Sequence, residues 1–190
     1  DYSKLRPIKS NEETPLQSKP GIFGWNKIDQ GSAFLIEKLP AFLGTFPKSQ
    51  QPQSLLDLGC GYGYLACTAS LHGFQQITAT DNNAAALNAC RENFSALGIE
   101  GEVIAADAGS EIQQPFDAII CNPPFHQGFN IEGALTEKFL SASRRLLTAE
   151  GKALFVVNNF IPLEKKAADY FSEIEEIARN GSFKLIRVSQ

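Results

Sequence analysis

The chain reads as an α/β domain on a mostly parallel, seven-stranded sheet with a C-terminal antiparallel hairpin. Three observations predict this. From Ser54 onward, short apolar runs alternate with segments of helical periodicity, and alternating βα units require a parallel sheet joined by crossover helices. The run Phe116–Cys121 is almost continuously apolar, as in a strand covered on both faces. Near the C terminus, Ile174–Ala178 and Phe183–Val188 flank Asn180-Gly181, a two-residue hairpin signal that adds an antiparallel strand.

Residues 1–20 carry Pro7, Pro15 and Pro20 among polar residues with little periodicity, so a linker or loosely attached arm is expected, its Lys4, Arg6, Lys9 and Lys19 solvated. Pro20-Gly21 and Gly24 bracket a short β-like Ile22-Phe23 segment, and Asp29-Gln30-Gly31 forms a turn. Ser32 then caps a helix carrying Phe34, Leu35, Leu39, Phe42 and Leu43, which Pro40 kinks or ends. The first sheet strand is 54–59, and its helix runs to His72, closed by Gly73. Strand two, Ile77–Thr80, ends at Asp81; Asp81 or Asn82 caps a helix that stops at Gly98. Strand three is Glu102–Ala106 and strand four Phe116–Cys121. Leu135, Phe139, Ala142 and Leu146 mark the next helix, Ala153–Val157 strand five, and Pro162 the start of a last helix. Arg144/Arg145 and Lys165/Lys166 read as solvated helix faces, and His72 as structural.

At 190 residues and 43% hydrophobic, the chain suits one globular domain with a full core. Seventeen basic against twenty-one acidic residues leave a net charge of −4, which provides no global field for nucleic acid; RNA binding would rest on local patches or a partner domain. No apolar run approaches the ~18 residues of a membrane span, and no signal-peptide pattern opens the chain. Cys60, Cys67, Cys90 and Cys121 have neither zinc-pair spacing nor that of a disulfide framework, and read as reduced thiols of a cytoplasmic protein. The chain opens on Asp1 and contains no methionine, so it is expected to be a fragment of something longer.

Function concentrates first at Ser54–Gly63, where Leu55, Leu56 and Leu58 run into Gly59, Gly61 and Gly63. This is a buried strand, a glycine turn and a helix start. The glycines allow positive φ and close approach of the backbone to a ligand, and the helix start adds unpaired N–H donors. A dinucleotide fingerprint needs a third glycine where Tyr64 stands, so that reading fails. The pattern from Asp57, D-x-G-x-G-x-G, resembles the S-adenosylmethionine loop of class I methyltransferases. That resemblance implies a glycine turn against the methionyl and ribose parts of the ligand, with the acidic residue helping to hold the amino group.

Ligands of open α/β sheets bind at the carboxyl ends of the strands. Asp81, 18 residues after Gly63, is placed to accept from ribose hydroxyls, and Asp107 from an adenine amine with Ala108 offering a backbone contact. Each carboxylate alone could be a helix cap; three adjacent strand ends beside a glycine loop favour a nucleoside. Cys60 and Asn82 complete the expected cofactor contacts.

Strand four runs into Asn122-Pro123-Pro124-Phe125-His126. Paired prolines fix the backbone and remove two donors, which leaves carbonyl acceptors beside the Asn122 amide oxygen. Two acceptors and an aromatic face suit an –NH2 group on a planar ring, with Asn122 and the Pro123 carbonyl accepting its hydrogens and Phe125 stacking on the ring. Asn122, Pro123 and Phe125 are therefore the candidate catalytic residues, and Pro124, Phe125 and His126 the substrate contacts. His126 either touches RNA, helps remove a proton, or is a bystander. Transfer of an activated methyl needs positioning and acceptors for developing positive charge, without a metal or covalent nucleophile.

Together, Gly21–Ser32, the D-L-G-C-G-Y-G loop and C-N-P-P-F-H resemble the ribosomal RNA guanine-N2 methyltransferases, the "methyltransferase small domain" enzymes of 16S or 23S rRNA. The likeness spans residues 20–190. It implies a Rossmann-like class I methyltransferase domain over 21–190 that binds S-adenosylmethionine through Gly59, Gly61, Asp81 and Asp107 and also Asn122, and acts on rRNA or a ribosomal subunit, 16S before 23S. It further implies a preceding cofactor-free pseudo-methyltransferase domain, for which 1–20 would be the link. Adenine N6 and the glutamine amide of release factors present the same planar –NH2 and stay open as acceptors, as does a non-catalytic scaffold, although both motifs are complete. The net charge predicts weak RNA binding by this chain alone; tight, sequence-specific binding in a titration at physiological salt would contradict it.

Overall fold

The computed structural model describes residues 4–9, 15–124 and 129–190. A two-stranded ribbon, β1 (Arg6–Pro7) with β2 (Gln17–Ser18), precedes helix α1 (Gln30–Leu43). Then follow β3 (Ser54–Leu58), α2 (Tyr64–Ala69), β4 (Gln76–Asp81), α3 (Ala84–Leu97) and β5 (Glu102–Ala105). The chain continues through β6 (Phe116–Cys121), α4 (Phe129–Leu146), β7 (Leu147–Asn158), α5 (Leu163–Ala167), β8 (Glu173–Arg179) and β9 (Phe183–Ser189).

The main sheet has seven strands in the order β5-β4-β3-β6-β7-β9-β8. The first five are parallel, while β9 runs antiparallel to both β7 and β8, as the sequence predicts. Alternate residues of the central strands face opposite layers. Leu55, Ala118, Ile120 and Leu154 pack with Phe34, Leu35 and Leu39 of α1 and Leu65 of α2. Leu56, Leu58, Ile119 and Phe155 pack with Phe139, Leu140 and Leu146 of α4 and Leu163 of α5. From β3 the chain winds outward through β4 and β5, then returns to the other side of β3 as β6. That reversal opens a crevice beyond the strand ends of β3 and β6.

Several local expectations are corrected. Asp29, not Ser32, is the N-cap of α1: its carboxylate accepts from the Ser32 N–H at 2.8 Å. Pro40 does not end that helix, which continues to Leu43 although the proline lacks the N–H donor and crowds the carbonyl of Ile36. Asn83, rather than Asp81 or Asn82, caps α3 through bonds from the N–H groups of Ala85 and Ala86. Ile22-Phe23 lies in a run of turns, with Ile22 buried. The arm is seated on the domain over its described residues: Ile8 and Leu16 are buried among residues of α2 and α3, and Asn93 pairs with the Gln17 backbone at 2.7 and 3.0 Å. The C-terminal turn centres one residue later than read. The Asn180 side chain accepts from the N–H groups of Ser182 and Phe183, and Gly181 does not take the positive φ of a primed turn.

Phe155, fully buried in the second half of β7, tests this core. Phe155→Ala is expected to cost about 3–5 kcal/mol in urea unfolding; a loss below about 1 kcal/mol would mean the layer is not close-packed there.

Candidate functional site

The crevice is a cavity of about 430 Å³, within the usual range for small-molecule sites. Gly59, Cys60, Gly61, Asp81, Asn82, Asp107, Ala108, Asn122 and Pro124 all line it. Asp57 and Pro123 are buried and do not. Phe125 and His126 lie outside the described residues.

The floor is the turn after β3. Gly59 and Cys60 both donate their N–H to the Thr80 carbonyl of β4 at 2.9 Å, and Gly61 donates to Asp81 Oδ2 at 2.9 Å. The other Asp81 oxygen accepts from the Asn83 N–H at 2.8 Å. Gly61 has φ +55, and a side chain there would enter open space, so the backbone itself forms the cradle surface. At Gly63, φ is +89 and a Cβ would stand 2.6 Å from Cys90 Sγ; only glycine fits.

Asp57 sits beneath this turn. Its Oδ2 accepts from the Ala66 N–H at 2.9 Å, tying β3 to the first turn of α2, while its buried Oδ1 has no partner among the described residues. Burial pushes its carboxyl up to about 7, repulsion from Asp81 adding to this and the Ala66 N–H opposing it. Cys60, Cys67 and Cys90 are buried nearby as free thiols. The Cys60 thiol is pushed well up, first by its hydrogen bond with Cys90 and then by burial.

On the β5 side, Asp107 forms an ion pair with Lys138 of α4, so this carboxylate already holds a cation. Ala108 takes φ +48, the one non-glycine positive φ among the described residues, which marks strain at the cavity wall. Arg145 holds that turn, donating to the Ile112 and Gly109 carbonyls at 2.7 and 2.8 Å. It is therefore a bridge between α4 and the turn, and the reading of Arg144/Arg145 as merely solvated is corrected for this residue.

On the β6 side, the Asn122 Nδ2 donates to Asp29 Oδ2 and to Ser32 Oγ, each at 2.8 Å. Both amide protons are thus taken, and the amide oxygen is left as the acceptor. Asp29 and Ser32 are site residues that sequence reasoning missed as such. Their D-x-x-S spacing at a helix start was a legible signal for a cap, though not for its distant partner. Ile22, Tyr64, Leu135 and Phe139 add apolar wall, unassigned in the sequence reading.

Among known proteins, the family model described as "Methyltransferase small domain" matches residues 13–187. The ribosomal RNA small subunit methyltransferase C of Chromohalobacter salexigens is 35% identical over 170 residues, covering 90% of this chain and 50% of that protein. Its namesake from Aeromonas hydrophila is 34% identical over 185 residues, covering 97% and 52%. The chain thus spans about half the length of the curated relatives it matches. A T. thermophilus 16S rRNA N2 methyltransferase, solved in complex with AdoMet and guanosine, superposes with a TM-score of 0.82 at 23% identity, covering 98% of this chain and 50% of that one. The fold is the Rossmann-like fold of these enzymes.

Asp57 makes a pH prediction. Its ordinary value is 3.8 and its folded value about 7, so the folded chain binds this proton more tightly than the unfolded one. Its contribution is complete below about pH 4, falls as pH rises toward 7, and is lost above, a difference on the order of 4 kcal/mol. Asp57→Asn, which keeps the acceptor for Ala66, is expected to gain stability over the parent progressively across that window in urea unfolding. A pH-independent difference between the two would refute the assignment.

Proposed function

This chain belongs to the methyltransferase small domain family, and we propose that it transfers a methyl group from S-adenosylmethionine to the exocyclic N2 amine of a guanine in ribosomal RNA, 16S rather than 23S. The observation that carries this is Asn122. At the end of β6, beside a glycine-cradled cavity, its amide is held with both protons engaged and the oxygen free to accept from an –NH2 group. The names of the relatives, which are small-subunit rRNA methyltransferases, support the choice of acceptor and subunit.

The cavity fits the cofactor. At Gly61 a bare backbone faces open space, so the methionyl part would lie against the Gly59–Gly61 turn. Asp81 would accept from the ribose hydroxyls, and Asp107 with Ala108 would meet the adenine edge beside the apolar Leu135 and Phe139. The Asp81 carboxylate in the lining suits a ligand bearing an ammonium and a sulfonium. Adenosylmethionine supplies an activated methyl: the amine nitrogen forms the new N–C bond as the C–S bond breaks with its electron pair on sulfur. The residues of this chain aim the amine. Asn122 Oδ1 and the carbonyl of Pro123 accept its two hydrogens, which orients the lone pair and stabilises positive charge as it develops on nitrogen. The extra proton then leaves to solvent. Pro124, in the cavity lining, would lie beside the base, with the stacking role proposed for Phe125, which lies outside the described residues.

In this reading the partners are rRNA or the assembling subunit in the cytoplasm, and a preceding domain contributes to RNA affinity. Among the described residues no helix is long and apolar enough to cross a membrane.

Two measurements test the proposal. Calorimetry with S-adenosylmethionine should show micromolar binding, weakened about 10- to 100-fold in Asp81→Ala through loss of charge-assisted hydrogen bonds. Label from methyl-tritiated cofactor, offered with naked 16S rRNA and with small subunits, should appear in N2-methylguanosine after digestion. Label in N6-methyladenosine, or in the glutamine of an offered release factor, would replace the guanine reading, and a folded chain that binds no cofactor would return the scaffold reading.

A further inference from the structure

The sequence singled out Gly21–Ser32 as part of the family likeness, and the last residues of that segment include the two partners of the Asn122 amide, Asp29 and Ser32. We propose that Asp29, Gly31 and Ser32 form a positioning element that fixes the Asn122 amide with its oxygen, and not its NH2, presented to the acceptor amine. This rests on the functional reading of Asn122.

An asparagine amide has an acceptor end and a donor end of nearly equal size, so packing alone does not choose between them. An ionised carboxylate does choose, because it can only accept. Asp29 Oδ2 stands 2.8 Å from the Asn122 Nδ2, so the atom facing Asp29 must be the NH2. Ser32 Oγ takes the second proton at 2.8 Å. With both protons bound, only the oxygen remains for a ligand. A half-turn of the amide would set its oxygen against the Asp29 carboxylate and aim N–H groups at the N–H groups of the substrate.

The anchor is itself held. Asp29 Oδ2 also accepts from the Ser32 N–H at 2.8 Å as the cap of α1. Gly31 leaves it room: a Cβ there would stand 3.1 Å from Asp29 Oδ2 and 3.0 Å from the Phe183 ring of β9, so the carboxylate or the ring would have to shift. These contacts join residues 93 and 90 apart in the chain, and helix capping needs none of them.

The first test is independent of catalysis. In side-chain amide exchange followed by NMR, the Asn122 protons should exchange at least tenfold more slowly than those of exposed Asn82, and Asp29→Ala should abolish the difference. In methyl transfer, Asp29→Ala should lower kcat about 10- to 100-fold with the KM for adenosylmethionine within about threefold. Ser32→Thr, which keeps the hydroxyl, should retain more kcat than Ser32→Ala. Serine is also a good helix cap, so Asp29→Ser keeps a capping residue while removing the carboxylate from Asn122; its kcat should fall about as far as that of Asp29→Ala. Asn122→Asp, which sets a second carboxylate against Asp29, should be nearly inactive. Calorimetry with adenosylmethionine shows that each variant is folded. An unprotected Asn122 amide in the parent, a kcat unmoved by Asp29→Ala, or full activity in Asp29→Ser would overturn the proposal. A protected amide in a chain that methylates nothing would instead overturn the functional reading and leave the positioning intact.

Discussion

Everything at the site depends on how the end of β4 shapes the turn after β3. In a parallel pair, the strand that ends beside a turn offers it carbonyl and side-chain acceptors at fixed height. Here Thr80 takes two successive N–H groups, from Gly59 and Cys60, and Asp81 takes the next free one, from Gly61. Three donors are thereby satisfied without a helix or strand to do it. The chain must double back so tightly that Gly59, Gly61 and Gly63 take φ of +81, +55 and +89, values glycine adopts at little cost. Below the turn, Asp57 reaches Ala66 and stitches β3 to α2. The turn is held from the side by β4 and from beneath by β3, so its outward surface is bare backbone.

The two sides of the cavity belong to different parts of the sheet, and the segment before α1 joins them. Gly21 accepts from Asn83 Nδ2, which caps α3, at 3.3 Å. Eight residues later, Asp29 receives the Asn122 amide from β6. Between these points a run of turns buries Ile22. The segment therefore spans the switch point as a strap, touching the nucleoside side at one end and the acceptor side at the other. In the proposed reaction the relative placement of donor carbon and acceptor nitrogen sets the rate, and this strap is where the two placements meet.

The fold was legible because its signals are local. Phe116–Cys121 matches the predicted strand residue for residue, and the strand ends carrying Gly59, Asp81, Asp107 and Asn122 line one cavity as their order implied. What was illegible is non-local. Nothing near Asp107 announces Lys138, and nothing near Gly109 announces Arg145, which reaches it across 36 residues. Asp29 and Ser32 are both good caps; Asp29 takes the role through its bond from the Ser32 N–H, and the Ser32 hydroxyl instead accepts from Asn122 90 residues away. Asn180-Gly181 has the composition of a primed turn, but an asparagine side chain that bonds two backbone N–H groups offers a competing geometry, and it wins. Ile22-Phe23 has strand-like side chains with no strand edge beside it to pair.

The electrostatics of the cavity separate its two proposed ligands. Asp29, Asp81 and Asp107 all stand in the lining, against one paired cation in Lys138, on a chain whose net charge is −4. That field favours a ligand carrying ammonium and sulfonium charges and opposes the phosphates of an RNA. At physiological salt the opposition reaches only about 8 Å from exposed charges, so a flipped base can enter while its backbone stays outside. A base held by Asn122 and a neighbouring carbonyl needs no charge for recognition, only acceptors at the right height. On the proposed reading the chain can remain acidic and still match its cofactor. In the proposed reaction the acidity is then no obstacle to an RNA substrate, because the phosphates stay beyond the reach of the field.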